Sequence, residues 1–208
     1  GQVSVPAATT RSVLLETSGG ADPRLAVRVE ADGGVLAPAL VTEELDGETP
    51  AGVDVITPGA APSTDQLVPG VVLVDPADQG EGSASDGATS SDSPVVRVVN
   101  PSDSAAAVSI STVGTGGEEE LPGATDLMVD PGAVFDVSLA GVAPGAYGIH
   151  VTSDVAVGAA VQLVRSAGEY PEASGALVHD QAWSQAAVPG ATQAGQLAVP
   201  RAPGLTSA

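Results

Sequence analysis

Between Val95 and Val164 apolar and polar residues alternate in short runs, opening VVRVVNPSDSAAAVSIS and closing YGIHVTSDVAVGAAVQLV, and Asn-Pro, Pro-Gly and Ser-Asp pairs cut the runs apart. Alternation with a period of two, bounded by turn residues, is how consecutive strands of an antiparallel sheet read. The parity then says which side chains meet: Val96 and Val98 share a face, as do Val108 and Ile110, and as do Tyr147, Ile149 and Val151. The expected core is Val98, Val108, Ile110, Phe135, Val137, Tyr147, Ile149, Val151, Val161 and Leu163. Aromatics are only 2% of the chain, so this core rests on Val, Ala and Leu, with Trp183, Phe135, Tyr147 and Tyr170 as its few large anchors. The 17 prolines and 26 glycines follow no period, which excludes collagen and argues against a helical protein. An all-β fold follows.

From Val95 onward the candidate strands are Val95 to Val99, Ala107 to Val113, Leu127 to Val129, Val134 to Leu139, Tyr147 to Thr152, Val157 to Val164 and Ala176 to Val178. They number seven, which is what an immunoglobulin-like sandwich needs. Upstream, extended runs are expected at Val3 to Val5, Val13 to Glu16, Leu25 to Val29, Leu36 to Val41, Val53 to Ile56 and Val71 to Val74, parted by Gly-rich turns. The segment from Thr9 also resembles the one from Pro131: Val13 falls on Phe135, Leu25 on Tyr147, Val29 on Val151 and Val35 on Val157, a repeat of about 120 residues. Ala182 to Ala187 alone could be a helical turn, but its counterpart at Pro58 to Pro62 cannot be helical, so both read as extended or loop.

These signals predict two tandem immunoglobulin-like β-sandwich modules; if VVLVDP at Val71 to Pro76 repeats VRVVNP at Val96 to Pro101, the first lacks its two opening strands, and either the tail completes it or its edge lies open. The expected divisions are residues 1–78 for the first module, 79–93 for a Gly, Ser and acid-rich flexible linker, 94–191 for the second seven-stranded sandwich, and 192–208 for an extended tail leading to a further strand. A competing reading puts Val71 to Val74 and Val95 to Val99 in one sheet, with the linker as their hairpin tip.

A formal charge of −20, with six Arg and no Lys, argues strongly against nucleic-acid binding, because no basic surface is available to neutralise a run of phosphates. Anionic membrane surfaces are disfavoured by the same charge. No Cys is present, which removes disulfides, thiolate catalysis and Cys-zinc sites together. No run of 18 apolar residues spans a bilayer, and Gly1 reads as the start of an excised fragment whose signal or anchor lies upstream.

Catalytic patterns are missing: there is no Gly-x-Ser-x-Gly elbow and the only imidazoles are His150 and His179. His150, between Ile149 and Val151, belongs to the polar face of its strand and reads as solvated; His179 and Asp180 are sequence neighbours that point apart on a strand. Glu43, Glu44, Asp46 and Glu48 read first as a solvated hairpin turn; they also supply oxygen ligands for a weak metal site but lack the EF-hand spacing, and Glu118 to Glu120 read the same way, with the metal reading weaker still. No Gly-x-Gly-x-x-Gly or P-loop occurs, so no cofactor is implied. Trp183 is the residue with the chemistry of an interaction site, although packing at the core or a domain interface is its commoner use.

VVRVVNPSDSAAAVSIS, VDPGAVFDVSLAGVAPGAYGIHVTSDVAVGAAVQLV and GALVHDQAWSQAAVP together resemble a family of actinobacterial secreted or membrane-anchored proteins known only as a domain of unknown function. The resemblance covers Val95 to Pro189 well and residues 1–78 weakly. It implies export to the cell envelope and carries over no catalytic or binding residue. The expected function is a non-enzymatic extracytoplasmic spacer, scaffold or adhesin-like module that meets a protein or a cell-wall glycan, without inserting into the membrane itself. The alternative is a carbohydrate- or Ca²⁺-binding surface module.

Overall fold

The computed structural model describes residues 2–15, 24–46, 49–75, 93–169 and 177–190. The described residues contain strands and no helix: β1 (Leu40–Asp46), β2 (Thr49–Ile56), β3 (Ser63–Leu73), β4 (Val95–Val99), β5 (Ala106–Gly114), β6 (Gly117–Glu120), β7 (Leu127–Val129), β8 (Val134–Ser138), β9 (Gly145–Glu169) and β10 (Leu177–Gln185). β1 and β2 form a hairpin, and the other eight strands form one antiparallel sheet that curls around the core.

β9 is the spine of that sheet. Its first half pairs with β5 (Val108↔Ser153 through Val113↔Gly148) and with β3 (Ser63↔Val157 through Leu73↔Gly145). Its second half pairs with β4 (Val95↔Gln162 through Val99↔Gly158) and with β10 (Leu177↔Glu169 through Gln185↔Ala160). Sequence patterning divides this strand at Ser153-Asp154, which the structure instead carries through. Ser153 Oγ donates to the Val155 carbonyl at 2.6 Å and Asp154 Oδ1 accepts from the Ala107 amide at 2.8 Å, so these polar side chains bond within the sheet rather than turning it.

Alternation fixes what is buried. Ile149, Val151, Val157, Ala159 and Val161 point inward from β9, meeting Val108 and Ile110 from β5 and Val96 and Val98 from β4. Val137, Tyr147 and Leu163 pack against this core half-buried, as the parity predicts. Phe135 is 37% exposed: it lies opposite Val98, but β8 is an edge strand, and among the described residues no further strand pairs beyond it. On β3 the burial parity changes from even (Gln66, Val68) to odd (Val71, Leu73). A bulge at Pro69-Gly70 adds the extra residue, with Gly70 at φ 72°, a left-handed angle that suits glycine. In the Asn-Pro punctuation after β4, Asn100 is buried while Pro101 stays exposed. Asn100 Nδ2 donates to the carbonyls of Ser104 and Val129 at 2.8 and 2.9 Å, while its Oδ1 accepts from Ser102.

The N-terminal part departs further from expectation. Val3 to Val5, the described part of Val13 to Glu16, and Leu25 to Val29 have strand-like sequence but form no strand, and the run at Leu36 becomes β1 only from Leu40. An extended run needs a partner for its amides, and these have none in a ladder. Their apolar side chains remain largely exposed, as do Val41, Val53 and Val55 on one side of the hairpin. The other end of this part does join the main sheet, since β3 is a long-range partner of β9. Residues 79–92 of the expected linker and the tail 192–208 lie outside the described residues.

Candidate functional site

The outer face of the first half of β9 is open, and His150 stands on it. Register places Ser111 of β5 directly opposite His150, while Leu67 of β3 is opposite on the other side. Two pairs further along, on the same face, Asp65 of β3 lies across from Thr152, so its side chain reaches diagonally back to the imidazole. β6 continues the row, with Glu118 paired to Val113 and able to reach past Ser111. The result is a line of four polar side chains across four adjacent strands, in the order Glu118, Ser111, His150, Asp65.

The distances make it a bonded line. His150 Nδ1 is 2.7 Å from Glu118 Oε1 and Nε2 is 2.9 Å from Asp65 Oδ1. The Ser111 hydroxyl donates to the same Glu118 oxygen. The His150 side chain is 25% exposed, against 59% for Asp65 and 53% for Glu118. The Glu118 carboxylate, chiefly, raises the pKa of His150 above the ordinary imidazole value; partial burial opposes this and Asp65 adds to it. Hydrogen bonds from Ser111 and then His150 hold Glu118 below the usual carboxylate range. Beside this row lies a shallow open depression of about 370 Å³ lined by Ser109, Ser111, Glu118, Glu120, Thr125, His150 and Thr152, with Ile110 at its floor.

Such an arrangement differs from a nucleophile and base. In a serine triad the hydroxyl donates to the imidazole and the carboxylate orients the other nitrogen. Here Ser111 donates to a carboxylate, and both ring nitrogens of His150 are committed to acids. The chemistry left to the group is electrostatic: it links strands.

A second cluster lies on the outer face of the second half of the sheet, and it contains Trp183. Arg97 of β4 donates from Nε and Nη2 to the two carboxylate oxygens of Asp136 on β8, at 2.8 and 2.7 Å. Its guanidinium carbon lies 4.8 Å from the centre of the half-buried Trp183 ring, and Nη1 donates to the Leu25 carbonyl at 3.3 Å. The Trp183 amide donates to Asp54 Oδ2 at 2.7 Å, tying β10 to β2. Trp183 therefore packs where the N-terminal part meets the main sheet.

Of the weak metal candidates, Glu43 is exposed on β1 opposite Val53. Glu44 and Asp46 follow it along β1, but their side chains lie outside the described residues, as does Glu48. Among the described residues no group of three or more His, Cys, Asp or Glu is placed to hold a metal ion. His179 is opposite Ser166 on the β10 ladder, its side chain again outside the described residues. No described helix is long and apolar enough to cross a membrane.

These features define an all-β protein built on a large curled antiparallel sheet with a polar row across its open face. The chain belongs to the family of unknown function DUF5719, whose model matches residues 1–208. No curated protein matches it. Among solved structures it is similar to the crystal structure of Thermotoga maritima 1070, at 13% identity and a TM-score of 0.38, over 61% of this chain and 93% of that one.

Proposed function

We propose that this protein is a non-enzymatic, extracytoplasmic module of the cell envelope, a spacer, scaffold or adhesin-like domain of an actinobacterial cell. Its partner in this reading is an envelope protein or a cell-wall glycan. The observation that carries the non-enzymatic part is the state of His150: its nitrogens are taken up by Asp65 and Glu118, leaving neither free to accept a substrate proton. The charge of −20 supports a surface that stays solvated and avoids nucleic acid.

The finer arrangement as two tandem immunoglobulin-like modules divided at residues 79–93 belongs to the same proposal. The sequence repeat supports it, and the ladder between β3 and β9 weighs against independent halves. Calorimetry tests this part, because two separable transitions favour modules whereas one joint transition opposes them.

The location is tested in cells carrying a tagged chromosomal copy. Protease added to intact cells should remove the tag signal while a cytoplasmic marker survives, and a protected, cytoplasmic pool would overturn the reading. Catalytic turnover that disappears in His150→Gln would overturn the non-enzymatic part.

A further inference from the structure

We propose that the row Glu118, Ser111, His150, Asp65 is a proton-operated clasp: charged His150 ties β3 and the β5–β6 hairpin to β9, and loss of its proton frees the hairpin end.

The argument starts from valence. A neutral imidazole has one N–H and one lone pair, so it donates to one carboxylate only. Yet both nitrogens of His150 sit within hydrogen-bond distance of a carboxylate oxygen, at 2.7 and 2.9 Å, and a carboxylate accepts but does not donate. Both contacts are satisfied together only by the imidazolium. The surrounding charge agrees: Asp65 faces the ring from β3 and Glu118 from β6, Glu120 lines the adjoining depression, and Ser109, Ser111, Thr125 and Thr152 are uncharged. The charges acting on His150 are those of Glu118 and Asp65, and they favour the protonated ring.

The two arms are unequal in support. Asp65 belongs to an eleven-residue strand whose next residues, Gln66 and Val68, are fully buried. Glu118 belongs to a four-residue edge strand that is exposed throughout and enters through Gly116 and Gly117, the latter at φ 110°. When the proton leaves, one nitrogen lone pair faces an acid, and the arm on the less supported strand yields, although its contact with the ring is the shorter one. The remaining N–H stays on Nε2 with Asp65, and Glu118 swings out beside Glu119 and Glu120.

The sign of the pH dependence follows. His150 has its pKa raised by folding, so its contribution is complete below the unfolded imidazole value and disappears as pH rises through the folded value. Glu118 has its pKa lowered, so its contribution is present above the unfolded carboxylate value and is lost as pH falls through the folded one. The clasp is closed between these limits.

Nuclear magnetic resonance of the full chain tests it, with His179→Gln assigning the His150 ring signals. The expected results are a His150 titration displaced above about 6.5, an Nε2–H tautomer after deprotonation, and amide exchange at residues 111–120 that quickens beyond its intrinsic pH dependence through that titration. Glu118→Gln should move the titration to lower pH, and the hairpin of His150→Gln should exchange at a rate that no longer follows it. A His150 that titrates at the ordinary value in the unsubstituted chain, or a hairpin whose protection ignores the titration, overturns the proposal.

Discussion

Asp136→Ala puts the ion pair beneath the N-terminal part to a quantitative test. In the native protein Arg97 is 9% exposed and directs two hydrogen bonds to Asp136, one to the Leu25 carbonyl and its planar face to Trp183. Removing one partner of a buried ion pair costs about 3–5 kcal/mol, because the other charge stays desolvated. The Asp136 side chain retains 21% exposure, so water reaches one side of the site, and the carbonyl and the indole face still hold the guanidinium. We therefore expect a loss of about 2–4 kcal/mol, a sizeable part of the roughly 5–15 kcal/mol that holds a domain folded. Trp183 is the only tryptophan, so its fluorescence reports this site alone during urea unfolding, while circular dichroism follows the sheet. The midpoint should fall in both signals with an unchanged slope. Converting the pair to apolar side chains, as Arg97→Met with Asp136→Ala, should recover about half of the loss or more, since the stranded charge is then gone. A loss under about 1 kcal/mol for Asp136→Ala would falsify the claim that this pair is shielded from water.

Asn100→Asp replaces the donated hydrogen bonds to Ser104, Val129 and Asp130 with a carboxylate facing carbonyl oxygens; at about 1–3 kcal/mol per orphaned buried group, the total should reach about 3 kcal/mol, read as a lowered thermal midpoint. Ile149→Ala, at a fully buried site on β9, should cost about 2–5 kcal/mol in chemical denaturation, and a smaller loss would mean that the sheet collapses into the space. Gly70→Ala meets no atom within 4 Å but must adopt φ 72°, so it should cost about 1–2 kcal/mol from backbone strain alone; a neutral result would show that the bulge relaxes.

Local alternation made the centre of the fold legible. Val96 with Val98, Val108 with Ile110, and Ile149 with Val151 are buried because strand periodicity is decided residue by residue, and Ala182 to Gln185, which the sequence left open between strand and loop, is part of β10. What local pattern does not encode is who pairs with whom. Leu25 to Val29 alternates as well as Tyr147 to Val151 does, yet only the latter finds strands on both sides. Ser153-Asp154 carries turn residues, but its amides are already held in a ladder, and the side chains take other roles. The row through His150 was half visible: the polar face was readable from Ile149 and Val151. Its carboxylates were not, since Asp65 and Glu118 lie 85 and 32 residues away and reach the ring only through a register that no single segment specifies. Trp183 was recognisable as an anchor, whereas the guanidinium lying over it depends on β4 and β10 both flanking β9.

The long central strand also sets an order in time. A ribosome delivers β3 first and Gly145–Glu169 some seventy to ninety residues later, which at about 5–20 residues per second is roughly 4–18 seconds. Throughout that interval Val68 and Val71, fully buried at the end, have no strand to join. Topologies dominated by such distant pairings fold slowly for the same entropic reason. β3 must remain unpaired until the spine emerges, whereas β1 and β2 can pair with each other at once, so a holdase that recognises short valine-rich segments should associate with β3 early and leave once β9 is complete.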